Sequence, residues 1–160
     1  CRDVCDELER EGIPFRRDVP IGIMIETPSI ALMAEEAARE CDFCSIGSND
    51  LCQYTLAVDR MNPIVRPYYM SYHPSVLRLI HGIVRAFSSR GKSVGICGEM
   101  GGDPKIVPVL IGMGLEKLSM SPSAVASVKS AICSLDTNAA RRLAEKALRC
   151  ATENEVKQLL

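Results

Sequence analysis

The chain has 160 residues, 47% of them hydrophobic and 24% charged, the balance of an ordinary globular sequence near the size of one domain. Nineteen basic and twenty acidic residues leave a net charge of −1, without the basic stripe that nucleic-acid binding needs and without an acidic tail. No apolar stretch approaches a membrane span, and the opening Cys1-Arg2-Asp3-Val4-Cys5-Asp6-Glu7 is too charged for a secretory signal, so the sequence reads as cytoplasmic.

The predicted elements alternate short apolar runs with helical segments, the signature of β/α units on a parallel sheet. Residues 1–11 read as the tail of a helix, with Val4 and Leu8 four apart. Pro14 and Pro20 bracket a connection, and Val19 to Ile25 reads as a first strand closed by Glu26-Thr27-Pro28. Ser29 to Glu40 is expected as one helix with Ile30, Met33, Ala34 and Ala37 on a common face. Phe43 to Gly47 is the second strand, and Leu51 to Pro74 a long connection, functional or holding short helices. Ser75 to Ser89 is amphipathic through Val76, Leu79, Ile80, Ile83, Val84 and Phe87.

Lys92 to Gly98 is the third strand, Asp103 to Met113 a helix with Pro104 near its first turn, and Leu115 to Met120 the fourth strand. Helices over 123–133, 137–149 and 152–160 finish the chain, the last two opened by Asp136-Thr137 and Thr152 as caps. No linker interrupts residues 1–160, which read as a single α/β domain. The eight cysteines fit free thiols packed as small hydrophobes. Cys41-Asp42-Phe43-Cys44 is formally C-x-x-C, but no second copy accompanies it, and alternation along a strand turns Cys44 away from Phe43.

Polar groups gather where the strands end, the place an α/β sheet or barrel keeps its chemistry. Gly22-Ile23-Met24-Ile25-Glu26 and Gly95-Ile96-Cys97-Gly98-Glu99 each place a Gly-Ile pair in a strand and a carboxylate at its end. Glu26 and Asp50 suit a hard cation such as Mg²⁺, which takes carboxylate oxygens and leaves positions for water and phosphate. Helix or loop capping would account for them equally well. Asn49 can hydrogen-bond a phosphate oxygen without adding charge. Cys97, between Gly95 and Gly98, is either a proton donor or nucleophile, or a buried small hydrophobe. Arg60 can clamp a phosphate, or pair with Asp59 or Asp42. His73 and His81 lack a partner pattern and read as structural or exposed.

The segments "GIMIETPSIALMA", "FCSIGSNDLCQYTLAVDRMN", "VGICGEMGGDP" and "GMGLEKLSMS" resemble, in order and spacing, Enzyme I of the bacterial phosphoenolpyruvate:sugar phosphotransferase system. The resemblance runs from about Ile21 to Ile132, with a weaker helical tail over 135–160. Pyruvate phosphate dikinase and phosphoenolpyruvate synthase are wider relatives, but "QYTLAVDR" is similar to the Enzyme I version. The resemblance implies a TIM barrel, with Glu26 and Asp50 as Mg²⁺ ligands and Asn49, Asp50 and Arg60 on the substrate. It makes Cys97 the acid that protonates enolpyruvate at carbon 3.

It also implies phosphoryl transfer from phosphoenolpyruvate to a histidine on a separate N-terminal domain, and from there to the carrier protein HPr. Neither His73 nor His81 lies in a matching motif, so the chain alone is expected to be inactive. Its four strands correspond to the fifth to eighth of the barrel, and a whole barrel takes about 250 residues. Half a barrel has two open edges and an inner face, expected to be apolar, that must be covered. The chain is therefore expected to self-associate, or to be completed by the missing half, and its non-methionine start fits a cut piece. A non-catalytic phosphoenolpyruvate- or metal-binding module and an inactive self-associating half-barrel are the alternatives.

Overall fold

The computed structural model describes residues 2–160. Four strands, β1 (Gly22–Ile25), β2 (Phe43–Gly47), β3 (Val94–Cys97) and β4 (Lys117–Leu118), form one sheet. They are all parallel and neighbour one another in chain order. Sequential order without reversal is the arrangement of successive units in a β/α barrel, whereas a doubly wound sheet has a switch point. Nine helices accompany the strands among the described residues: α1 (Arg2–Arg10), α2 (Pro28–Leu32), α3 (Ala34–Glu40), α4 (Ser48–Leu56), α5 (Pro74–Ser88), α6 (Val107–Gly112), α7 (Pro122–Cys133), α8 (Thr137–Arg149) and α9 (Glu153–Leu159). Short 3₁₀ turns occupy Arg66–Tyr68 and Glu99–Gly102.

Register divides the sheet into two unlike faces, because successive side chains in a strand point opposite ways. Ile25, Ile46 and Ile96 are cross-strand partners, each fully buried, and they meet the helices with Ile80, Ile83 and Phe87 of α5. On the other face Met24, Ser45, Gly95 and Lys117 share a register row. That open face was expected to be apolar. It is mixed instead: Met24 and Phe43 are exposed at the β1–β2 side, but Ser45, Gly95 and Lys117 continue the row across β2 to β4, and the Lys117 ammonium donates to Ser93 Oγ. Strands β1 and β4 are the sheet edges.

Several boundaries differ from the periodicity. The helix expected over 1–11 is α1, residue 1 lying outside the described residues. The first strand starts at Gly22, because the Ile21 N–H is taken by the Asp42 carboxylate at 2.7 Å. Ser29 to Glu40 is two helices, broken at Met33 where the backbone leaves helical geometry (φ −97°, ψ 23°). Part of the long connection is helix: α4 starts at Ser48, so Asn49 and Asp50 form its first turn rather than following a strand into a loop. Lys92 and Ser93 precede β3, and β4 is only two residues. Asp103 bends the chain through a turn, its side chain accepting from the Lys105 N–H, and α6 waits for Val107 with Pro108 in its first turn.

The caps follow side-chain chemistry. Asp136 accepts from Ala139 N–H and Thr152 from Glu155 N–H, as an oxygen side chain before a helix should. His73 has a structural use, since its Nδ1 accepts from Ser75 N–H and caps α5. Burial pushes the Cys44 thiol up to about 12 and the Cys52 thiol to about 11, which keeps both protonated in the core. No helix of the described residues is long and apolar enough to cross a membrane.

Candidate functional site

The site begins with a glycine. Gly47 ends β2 in register with Cys97, and the strand geometry puts the residue after β1 on the same row. That residue is Glu26. A methyl group at Gly47 would stand 2.8 Å from both Cβ and Oε2 of Glu26, so the absent side chain is what lets this carboxylate lie over the end of β2. Among the described residues Glu26 makes no hydrogen bond or ion pair, and it does not cap α2, whose N-cap is Thr27. On the same row the Cys97 Sγ rests 3.5 Å from the Ile46 carbonyl and 3.7 Å from Met24 Sδ, half-buried.

The next residues wrap the ends of β2 and β3 together. Ser48, almost wholly buried, donates from Oγ to the Cys97 carbonyl at 2.6 Å. Asn49 Oδ1 accepts from Glu99 N–H at 3.1 Å, which commits the amide oxygen and leaves the Nδ2 donors without a protein acceptor among the described residues. This close strapping depends on Gly98, held at φ +96°. A methyl there would meet Ser48 Oγ at 2.5 Å and Asn49 Oδ1 at 2.9 Å. Asn49, Cys97, Gly98, Glu99 and Ser119 line an open cleft of about 460 Å³ between the ends of β3 and β4.

Asp50, in the first turn of α4, sits where the helix dipole favours a carboxylate. Its Oδ1 is 3.5 Å from Arg60 Nη2, both groups about one-third exposed. At that length the pair is a weak tether. Arg60 reaches Asp50 because α4 ends on Ala57 in the left-handed region (φ 53°), which turns the chain back, and Gln53 Oε1 then accepts the Arg60 N–H. The competing partners are engaged elsewhere: Asp42 holds Ile21 N–H and Asp59 holds Met61 N–H.

The structure thus brings Glu26, Asn49, Asp50, Arg60 and Cys97 to one end of the sheet. Among the described residues no group of three or more His, Cys, Asp or Glu side chains converges as a complete metal cage. Two carboxylates with uncommitted or weakly committed oxygens nevertheless suit a cation that keeps water and substrate oxygens in its shell. His73 and His81 belong to α5 and its cap, away from this row.

Two contributors were not legible as site residues. Tyr69 donates from its hydroxyl to the Asn49 carbonyl at 3.2 Å, and burial raises its ionisation well above the usual phenol range, so it stays a neutral donor. Tyr72 joins three parts of the chain: its hydroxyl donates to the Asp103 carboxylate and its N–H to buried Glu153 of α9 at 3.0 Å, which Lys157 also pairs. Both tyrosines lie in the proline- and tyrosine-bearing connection, and only that composition hinted at them.

Residues 1–137 match the family described as PEP-utilising enzyme, PEP-binding domain. Among curated relatives, phosphoenolpyruvate-protein phosphotransferase of Streptococcus equinus is 47% identical over 153 residues, 95% of this chain and 26% of that protein. The protein of the same name from Lactococcus lactis subsp. cremoris is 48% identical over 151 residues, 94% of this chain and 26% of its own length. Multiphosphoryl transfer protein 1 of Escherichia coli K12 is 46% identical over 154 residues, 96% of this chain and 18% of that protein. The chain therefore spans about a quarter or less of the length of these relatives. With more than half its length matched, and its four parallel β/α units in barrel order, the chain belongs to the family of PEP-utilising enzymes through their PEP-binding domain.

Proposed function

We propose that residues 1–160 form the C-terminal part of a phosphoenolpyruvate-protein phosphotransferase, a partial barrel with a helical tail that carries the rim where phosphoenolpyruvate and Mg²⁺ bind. The observation that supports this reading is that Glu26 follows β1 and Asp50 follows the adjacent parallel strand β2, so both carboxylates stand at the same end of the sheet, with Asn49 between them in the chain. Glu26 and Asp50 would hold the cation, which when bound neutralises charge on the substrate carboxylate and phosphate. The Asn49 Nδ2 donors and the Arg60 guanidinium bind phosphoryl oxygens and orient the phosphorus toward an incoming histidine nitrogen. As the P–O bond to the enol oxygen breaks and a P–N bond forms, the Cys97 thiol delivers its proton to carbon 3 and leaves pyruvate. Its half-buried place on the rim row suits that transfer, since among the described residues its thiol makes weak contacts to Ile46 and Met24.

The phosphohistidine then passes the group to HPr, in the cytoplasm, in support of sugar uptake. In this reading the histidine belongs to another part of the protein, because His73 is spent on capping α5. The edges of β1 and β4 are covered by further barrel strands or by a second copy.

Calorimetric titration of phosphoenolpyruvate in the presence of Mg²⁺, on the wild-type chain and on Asp50→Ala, tests the reading. Metal-dependent binding that weakens on the order of a hundredfold in the variant is expected. Binding that ignores either the metal or Asp50 would refute it.

A further inference from the structure

We propose that Arg66 is a second phosphate-binding arginine, closing together with Arg60 on the dianionic end of the substrate. The inference rests on the reading of Arg60 given above and adds a residue to it. Arg60, Met61, Arg66, Tyr69 and Glu99 line a cleft of about 340 Å³. Glu99 also walls the cleft beside Cys97 and Asn49, so the two spaces adjoin.

Charge is the first argument. Two guanidiniums and one carboxylate line this cleft. Arg60 already shares its charge with Asp50. Arg66 makes no side-chain hydrogen bond or ion pair with any described residue, so its five donors are free for a ligand. Glu99 lies on the same wall but beyond ion-pair distance of Arg66, and its backbone N–H is taken by Asn49.

The mount is the second. An exposed arginine on a loose loop would lose much of its binding energy to ordering. Here the backbone is tied on both sides: Arg66 N–H donates to the Asn62 carbonyl at 2.9 Å, and Tyr69 N–H donates to the Arg66 carbonyl at 2.9 Å. Pro67 fixes the next φ, and Asn62 is itself folded by its side chain accepting from Ile64 N–H. Tyr69, which closes this turn, is anchored to the Asn49 carbonyl, so the platform that carries Arg66 is fastened to the substrate-binding turn of α4.

Ligand chemistry is the third. A phosphate monoester dianion offers three terminal oxygens, and one guanidinium fork engages two. With Asn49 Nδ2 and Arg60 on these oxygens and Arg60 drawn toward Asp50, further lone pairs on the oxygens and part of the charge remain for a second fork. Arg66 is the arginine in position to supply it.

The test is steady-state kinetics in the full-length protein that carries this segment, with Arg60→Ala, Arg66→Ala and Arg66→Lys. Arg66→Ala is expected to raise KM for phosphoenolpyruvate on the order of tenfold while kcat stays within about twofold. Arg66→Lys should recover only part of the loss, because an ammonium lacks the planar fork. Raising ionic strength should raise KM more steeply in wild type than in Arg66→Ala. An unchanged KM in Arg66→Ala beside a raised KM in Arg60→Ala would overturn the role of Arg66 and leave the parent reading standing. An unchanged KM in both would remove the parent reading as well. Should Arg66→Ala fail to fold, Arg66→Lys decides, and a wild-type KM in it overturns the proposal.

Discussion

The strand-end rim and the seam between α6 and α8 use the same device for opposite ends. At the rim, Gly47 and Gly98 leave room for the side chains of Glu26, Ser48 and Asn49. At the seam, Gly112 closes α6 against α8 so tightly that a methyl group there would collide with the Ala140 carbonyl, and Ala144 Cβ would stand 3.0 Å away. Ala140, Ala144 and Ala147 make the facing surface of α8, all buried. One set of glycines admits polar groups to a cleft; the other admits backbone to backbone. The lesson is that close approach by itself says nothing about function, and what fills the space does.

Substitution by alanine separates the two regions. Gly112→Ala should have the larger effect on the fold, because the nearest obstructing atoms, the Ala140 carbonyl, are backbone and cannot rotate away. Overpacking of this kind costs about 3 kcal/mol, enough to lower the thermal midpoint by roughly 6–12 °C. The proposed affinity for phosphoenolpyruvate, measured on the folded fraction, should remain. A variant with wild-type melting would mean that the seam yields easily, and the contrast with the rim would fail.

Gly98→Ala should show the reverse emphasis. Holding alanine at φ +96°, ψ −173°, a region essentially reserved to glycine, costs about 1–3 kcal/mol, and its methyl would press on Ser48 Oγ and Asn49 Oδ1. Ser48 and Asn49 are short side chains that can shift, so melting should fall less than in Gly112→Ala. Their shift, however, breaks the bonds to Cys97 O and Glu99 N–H that set the rim. Calorimetric affinity for phosphoenolpyruvate with Mg²⁺ should drop on the order of tenfold or more. Unaltered affinity would separate the Asn49 geometry from binding.

How far the sequence announced these regions differs too. The four strands and α5 were legible because apolar spacing follows the strand and helix periods, and Ile80, Ile83 and Phe87 occupy the buried face of α5. The start of α4 was not, since Ser48-Asn49-Asp50 serves equally as a strand end and as the polar opening of a helix. The break at Met33 was hidden by good helix formers on both sides. Glu26, Asn49, Asp50, Arg60 and Cys97 could be picked out one by one as residues at element ends. Their relations could not: Glu26 over Gly47 depends on strand pairing, Arg60 on Asp50 depends on a left-handed alanine, and Tyr69 on Asn49 spans twenty residues. The alanines of α8 and the Gly112 contact were likewise invisible until the helices were in place.

The smallest expected effect is a pH dependence confined to the helical side. His81 lies half-buried on α5, where burial and then the nearby Arg85 charge lower its pKa below the ordinary imidazole value. The unfolded chain therefore binds a proton on this side chain at a pH where the folded chain does not. Stability is then fully present above the unfolded value of about 6.5 and declines as pH falls through it toward the lowered folded value. Denaturant midpoints measured from pH 7.5 down to pH 5 should fall in wild type and fall less in His81→Gln, which has no proton to gain. The rim contributes nothing to this difference between the two proteins, because His81 stands on the scaffold and not on the row of Glu26 and Cys97. A wild-type slope that persists undiminished in His81→Gln would assign the acid sensitivity to other groups and blur the boundary between the two regions.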